Sequence, residues 1–171
     1  FDNSNYDAVD WKIGATKDGK TMVVFVSSDR DPGAFYLFEP TAKKLLRVAR
    51  SYPWLEPEKS AKQRGFQFAA RDGVQIHGLL TLPPNSEGKK LPTVVLVHGG
   101  PYGVADYWGY DVESQILARH GYAVLQVNFR GSTGYGREFT DRGVRQWGRA
   151  MQDDITDATK WAIAQGIADG G

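Results

Sequence analysis

A chain of 171 residues with a net charge of +1, its acids and bases interspersed, gives no electrostatic case for nucleic acid or an anionic membrane as partner. With 41% apolar and 24% charged residues its composition is that of a globular protein, and no apolar run approaches the ~20 residues that span a bilayer. The absence of cysteine excludes disulfides and thiolate catalysis, and three scattered histidines have no metal-ligand spacing, so no metal site is expected.

Residues 1 to about 50 read as all-β. Val9–Ala15, Thr21–Ser27, Ala34–Glu39 and Lys44–Ala49 are short β-rich runs separated by turn chemistry at Lys17-Asp18-Gly19, Asp29–Gly33 and Glu39-Pro40-Thr41. Four strands at this spacing make an antiparallel meander, the size of one propeller blade or of a small β-extension. Residues 51–64, with two prolines and mixed charge, read as a linker. Gly65–Ala70 and Val74–Leu82 then flank Arg71-Asp72-Gly73, a hairpin signal. His77, in the second of these runs, is expected at an exposed edge. The N-terminus, FDNSNYDAVD, has no basic region followed by an apolar one. This favours the cytoplasm but leaves the compartment open, because that N-terminus is expected to be internal.

Leu91–Gly136 organises the rest. Thr93–Val97 has no polar alternation, as expected of a strand covered on both faces, and Tyr122–Asn128 reads as the next buried strand. Between them a helix is expected over Asp111–His120, with Val112, Ile116 and Leu117 facing inward and Gly121 as its stop. Each strand ends in a glycine turn, His98–Pro101 and Gly131–Gly136, where parallel sheets gather their chemistry. A loop with a short helical piece follows over Arg137–Arg149. Met151, Ile155, Ala158 and Ala162 mark a helix packed along one side, ended by Gly166. Alternation then calls for another strand where the sequence stops.

His98-Gly99-Gly100-Pro101 can aim backbone N–H groups into a cleft, as an oxyanion hole requires, with Pro101 stiffening the exit; it can equally be a tight strand-to-loop turn. Ser132 has glycine just before it and two places after it. A nucleophile elbow needs glycine two before, where Arg130 stands, so Ser132 is read as part of a loop shaping the cleft. Arg130 suits bidentate carboxylate binding. His98 lies near the cleft and packs under the glycine turn, and His120 is a structural cation at a helix end. Asp153, Asp154 and Asp157 are read as charge pairing plus one buried, hydrogen-bonded aspartate. Tyr102, Tyr107, Trp108 and Tyr110 either wall a pocket or cap the sheet.

VVLVHGGP, GYAVLQVNFRGSTGYG and WG–x3–QDDI–x2–A–x2–WAIAQGIAD together resemble the serine peptidases of the prolyl oligopeptidase family, in its dipeptidyl- and acylaminoacyl-peptidase-like branch. SSDRDPGAFYLFEP and YPWL are similar to the last blade of that family's propeller. The resemblance implies an α/β fold: residues 1–55 as the end of a β-propeller and 56–171 as the first half of an α/β-hydrolase domain. It implies cleavage of short peptides through an acyl-enzyme, with no cofactor, and with the remainder of the same enzyme as partner. By position, Gly100 N–H becomes an oxyanion donor, Gly99 shapes the turn, and His98, Tyr102 and Arg130 line the substrate site. The family's nucleophile, aspartate and histidine follow the helix that ends at Gly166, so this chain alone is expected to be inactive. An esterase of the same fold and a non-catalytic binding or assembly module are the alternatives; oligomeric state is open.

Overall fold

The structure, a computed structural model, describes residues 8–100 and 102–170. The chain divides into two compact units, Phe1–Ser60 with Gly109–Val112, and Ala61–Trp108 with Glu113–Gly171.

The first unit holds β1 (Val9–Ala15), β2 (Met22–Ser27), β3 (Ala34–Glu39) and β4 (Lys44–Arg50), antiparallel neighbours in chain order. Its turns are fixed by short polar side chains. Ser28 Oγ accepts the Arg30 and Asp31 N–H groups at 3.1 and 2.9 Å, and Asp31 Oδ1 accepts the Gly33 N–H at 2.9 Å. Gly33 has φ +109, and a Cβ there would lie 2.2 Å from the Phe25 ring, so only glycine fits. Within this unit the sheet has little core of its own: Val24 and Ala34 are buried, whereas Trp11, Ile13, Leu46 and Val48 are 56–60% exposed.

The second unit is built on β5 (Lys62–Ala69), β6 (Gln75–Leu82), β7 (Thr93–Leu96) and β8 (Ala123–Asn128), in the order β5-β6-β8-β7. β6 is antiparallel to both β5 and β8, and β7 runs parallel to β8. α1 (Val112–Arg119) connects β7 to β8; α2 (Arg137–Asp141) and α3 (Ala150–Ala164) follow. All six residues of β8 are buried, the polar Gln126 and Asn128 among them. Met151, Ala158 and Ala162 of α3 pack on Ile76, Leu80, Leu125 and Val127, with Trp161 stacked 4.7 Å from Phe66. Gly166, at φ +70, ends α3. The chain then returns to the sheet: Ala168 bridges Leu91 in parallel, through Leu91 N–H to Ile167 O and Asp169 N–H to Leu91 O.

Three expectations are corrected. β5 begins at Lys62, inside the stretch read as linker, after a 3-10 turn at Pro57–Lys59. His77 is not on an edge, because β6 is paired on both sides and His77 lies opposite Gln67 and Asn128. α1 turns the other way: Ser114, Gln115 and Ala118 are buried while Val112 and Ile116 are more than half exposed. The polar face can turn inward because every partner is there. Gln115 brackets Ala61, accepting its N–H and donating to its C=O at 2.9 Å each, and Ser114 Oγ and Gln63 Nε2 both donate to Gln126 Oε1.

The β6 position most sensitive to volume is Gly78. A Cβ there would lie 2.3 Å from the Gln126 carbonyl oxygen and 2.4 Å from the Phe66 ring. Gly78→Ala is expected to cost about 1–3 kcal/mol, read as a lower urea midpoint at unchanged slope. A wild-type midpoint would mean that the β6–β8 spacing yields freely.

Candidate active site

β7 ends at Leu96 and the chain enters the first glycine turn. The left-handed conformation falls on Gly100, at φ +126, where a Cβ would press within 2.8 Å of the Val104 side chain. Both backbone and space therefore demand glycine. Gly99 differs: its φ lies outside that region and a Cβ would meet nothing within 4 Å. So Gly100 shapes the turn, and Gly99, expected to do so, instead faces open space. Among the described residues the Gly100 N–H has no hydrogen-bond partner. Pro101, expected to stiffen the exit, lies outside the described residues.

His98 has both ring nitrogens in contact with the chain, Nδ1 2.8 Å from Gly99 O and Nε2 2.9 Å from Ser132 Oγ, and its ring stacks 4.6 Å from that of Phe129. The ring's polar atoms thus meet the two glycine turns, under which His98 was expected to pack. Tyr102 donates its hydroxyl to Gly143 O at 2.8 Å and stacks on Trp147, so only its half-open ring face remains to meet a ligand.

The second turn is laced to the first. Asn128, fully buried at the end of β8, accepts the Asp106 N–H, donates to Asp106 O, and donates to the Tyr135 hydroxyl, all within 2.9 Å. Thr133 N–H donates to Val104 O at 3.0 Å. Ser132 is fully buried beneath His98, which suits a loop residue and not a nucleophile. His77 stacks on Tyr135 at 4.5 Å and faces a cleft of about 400 Å³ with Asp72, Val74 and Phe139; burial lowers its pKa.

Arg130 was expected to suit bidentate carboxylate binding and to line the substrate site, and the structure pairs it bidentately within its own chain. It is 6% exposed and held by two carboxylates of its own chain. Nε and Nη2 donate to the two Asp154 oxygens at 2.8 and 2.7 Å, and Nη1 and Nη2 to the two Asp72 oxygens at 2.7 and 3.0 Å. Asp154 Oδ2 also accepts the Arg130 backbone N–H at 3.0 Å. Asp154 and then Asp72 hold the guanidinium charged well beyond its ordinary range, and Arg130 in turn holds the Asp72 carboxyl below the usual carboxylate range. Arg71 does the same for Asp157 and also reaches Asp153, so the aspartates of α3 form ion pairs with arginines and not a metal cluster.

Sequence reasoning found Arg130 and the buried aspartate of α3, but not their joining, and it gave Asn128 and Asp72 only structural places, as a strand end and a hairpin turn. The one available signal was an arginine directly after a buried strand with an acidic pair in the next long helix. Removing Asp154 leaves a buried cation half paired, so Asp154→Ala is expected to cost about 3–5 kcal/mol, with a smaller loss for the half-exposed Asp72. The folded pKa values of Asp72 and Asp157 lie below their unfolded ones. Their contribution is therefore complete above about pH 4 and lost as pH falls through the folded values. Asp72→Asn and Asp157→Asn should each flatten the loss of stability below that pH, measured by urea unfolding; an unchanged acid limb would contradict the pairing.

Residues 108–171 match the prolyl oligopeptidase family. Dipeptidyl aminopeptidase BIII of Pseudoxanthomonas mexicana is 41% identical over 89% of this chain and 23% of its own length. Dipeptidyl peptidase family member 6 of Caenorhabditis elegans is 37% identical over 91% of this chain and 24% of its own. Among solved structures, a puromycin-hydrolysing peptidase of Mycobacterium tuberculosis aligns with a TM-score of 0.73 and 30% identity, over 88% of this chain and 24% of that one. Acylaminoacyl peptidase of Pyrococcus horikoshii aligns with a TM-score of 0.69 and 27% identity, over 94% of this chain and 26% of that one. The chain thus spans about a quarter of the length of the proteins it matches. On both sequence and fold, it belongs to the prolyl oligopeptidase family of serine peptidases.

Proposed function

We propose that the protein carrying this segment hydrolyses peptide bonds of short peptides through an acyl-enzyme, and that Gly100 N–H receives the oxyanion. The observation that carries this reading is a backbone donor at the tip of a parallel strand, without a partner among the described residues and beside open space at Gly99. A donor fixed in advance costs no reorganisation when charge develops, which is why such groups accelerate acyl transfer. The second unit is then the first half of an α/β-hydrolase domain. The four-stranded first unit is the last blade of a propeller, a role that fits its exposed apolar residues.

In the reaction a serine supplied by polypeptide outside these 171 residues attacks the substrate carbonyl carbon. The carbonyl electron pair moves onto oxygen, which Gly100 N–H binds. Collapse of this intermediate breaks the C–N bond and releases the amine, protonated by the histidine that took the serine's proton; water then attacks the acyl-enzyme and frees the acid. The open ring face of Tyr102 forms part of the pocket wall. The 171-residue chain alone has no activity on this account, since nucleophile and base are supplied from elsewhere. The names of the relatives and structures make dipeptidyl, aminoacyl and acylaminoacyl amides the first substrates to try.

Two measurements test this. The full-length protein should release naphthylamine from such amides faster than it cleaves matched acyl esters relative to their uncatalysed rates; an ester-only enzyme would overturn the peptidase reading. A structure of its adduct with a peptide boronate should place one boron-bound oxygen about 2.7–3.1 Å from Gly100 N, the distance such a donor requires. An oxygen turned away from Gly100 would overturn the site assignment. Gly100→Ala, by forcing the turn off φ +126 and against Val104, should lower kcat by at least about tenfold while moving KM less.

A further inference from the structure

Building on the reading of Gly100 N–H as the oxyanion donor, we propose that His98 is the positioning residue that sets the direction of that donor, and that Ser132 holds the far nitrogen of the imidazole so that it can do so. The Gly99 carbonyl and the Gly100 N–H belong to one peptide unit. That unit is planar and trans, so the two groups point in opposite directions and fixing one fixes the other. His98 Nδ1 lies 2.8 Å from Gly99 O. A carbonyl oxygen carries only lone pairs, so Nδ1 bears the hydrogen and donates it. In the neutral ring Nε2 is then an acceptor, and the group 2.9 Å from it is the Ser132 hydroxyl, which donates.

Ser132 is in a position to hold the ring in this orientation. It is fully buried, and its own N–H donates to Phe129 O at 3.0 Å. The Phe129 ring lies nearly parallel to the imidazole, at an interplanar angle of 19°, and fixes its plane. The device answers a problem that the turn creates for itself. Two successive glycines let the backbone approach a ligand, but they also let the peptide between them rotate cheaply. Holding the Gly99 carbonyl against the imidazole removes that freedom and leaves Gly100 N–H aimed the other way. His98 thus acts through the peptide plane and touches no substrate.

The test uses the full-length enzyme and the chemical difference between two amides. In His98→Asn the side-chain nitrogen can take the place of Nδ1 and keep the bond to Gly99 O. In His98→Gln it can take the place of Nε2 and reach only Ser132. His98→Leu and His98→Gln are expected to lower kcat on a dipeptidyl amide by about 10²-fold, the scale of losing one oxyanion donor, with KM within about threefold. His98→Asn is expected to recover at least about tenfold of that loss. Ser132→Ala should lower kcat by a smaller factor and add nothing to His98→Leu, since the two act in one chain of contacts.

The proposal is overturned by kcat within about twofold of wild type in His98→Leu, or by His98→Asn performing no better than His98→Gln. Thermal unfolding of each variant accompanies the kinetics, and should His98→Leu fail to fold, the comparison of the two amides decides. The boronate adduct of the wild type separates the two levels of the reading. An oxygen on Gly100 N–H together with silent His98 variants sinks the positioning role alone, whereas an oxygen elsewhere sinks the donor assignment and this inference with it.

Discussion

A buried guanidinium constrains this structure more than any other single group. Arg130 sits at the end of β8, 6% exposed, and a cation so placed costs several kcal/mol unless it is fully paired. Its partners are distant in sequence, Asp154 by 24 residues and Asp72 by 58. Pairing therefore draws together three places: the tip of the β5–β6 hairpin, the exit of β8 and the first turns of α3. One carboxylate, Asp154, takes both the side chain and the backbone N–H of Arg130, so the direction in which the chain leaves β8 is fixed as well as the charge. Arg71 and Asp157 make a second tie between hairpin and helix nearer the surface, where screening makes it weaker. Because the exit from β8 is fixed, Ser132 comes to lie under His98.

The strands and α3 were legible because their signals are local. Apolar-rich runs gave β7 and β8, Asp72-Gly73 gave the hairpin, with Gly73 at φ +83, and the Met151–Ala162 spacing gave the buried stripe of α3. What failed depends on pairing across long separations. His77 looked like an edge residue because nothing in its strand reveals that β8, some fifty residues on, adds along its other side. The inward face of α1 was misjudged for a related reason. Ser114 and Gln115 are poor candidates for burial until Gln126 and Ala61 are known to offer them hydrogen-bond partners. A satisfied polar network can outweigh the hydrophobicity of Val112 and Ile116, and sequence periodicity cannot register it.

The candidate site divides along the same line. The glycine turn after β7 was visible as a motif, and so was its place at a strand end. The roles of His98 and Arg130 were visible only in part: packing under the turn and bidentate carboxylate binding were expected, but their particular partners were not, since these depend on what the polar atoms meet. Both were expected toward the substrate side, and both are occupied by their own chain. Polar side chains near a cleft are as often needed to hold the cleft's backbone in place as to touch its contents.

The glycines of the second turn make the same point in terms of space. The run Gly131-Ser132-Thr133-Gly134-Tyr135-Gly136 invites comparison with a nucleophile elbow or a phosphate cradle, and the surroundings explain Gly131 in another way. A Cβ at Gly131 would strike Met151 at 2.8 Å and meet Gly143 Cα at 3.4 Å, while a Cβ at Gly143 would lie 2.6 Å from Gly131 Cα. Two backbones pass in contact there, and neither position can carry a side chain. That contact seats the loop low enough for the Ser132 hydroxyl to reach the imidazole, and it brings the Gly143 carbonyl within reach of the Tyr102 hydroxyl. A glycine in a sequence announces that something must come close; at Gly100 it is the Val104 side chain, and at Gly131 it is the Met151 side chain and the backbone of Gly143.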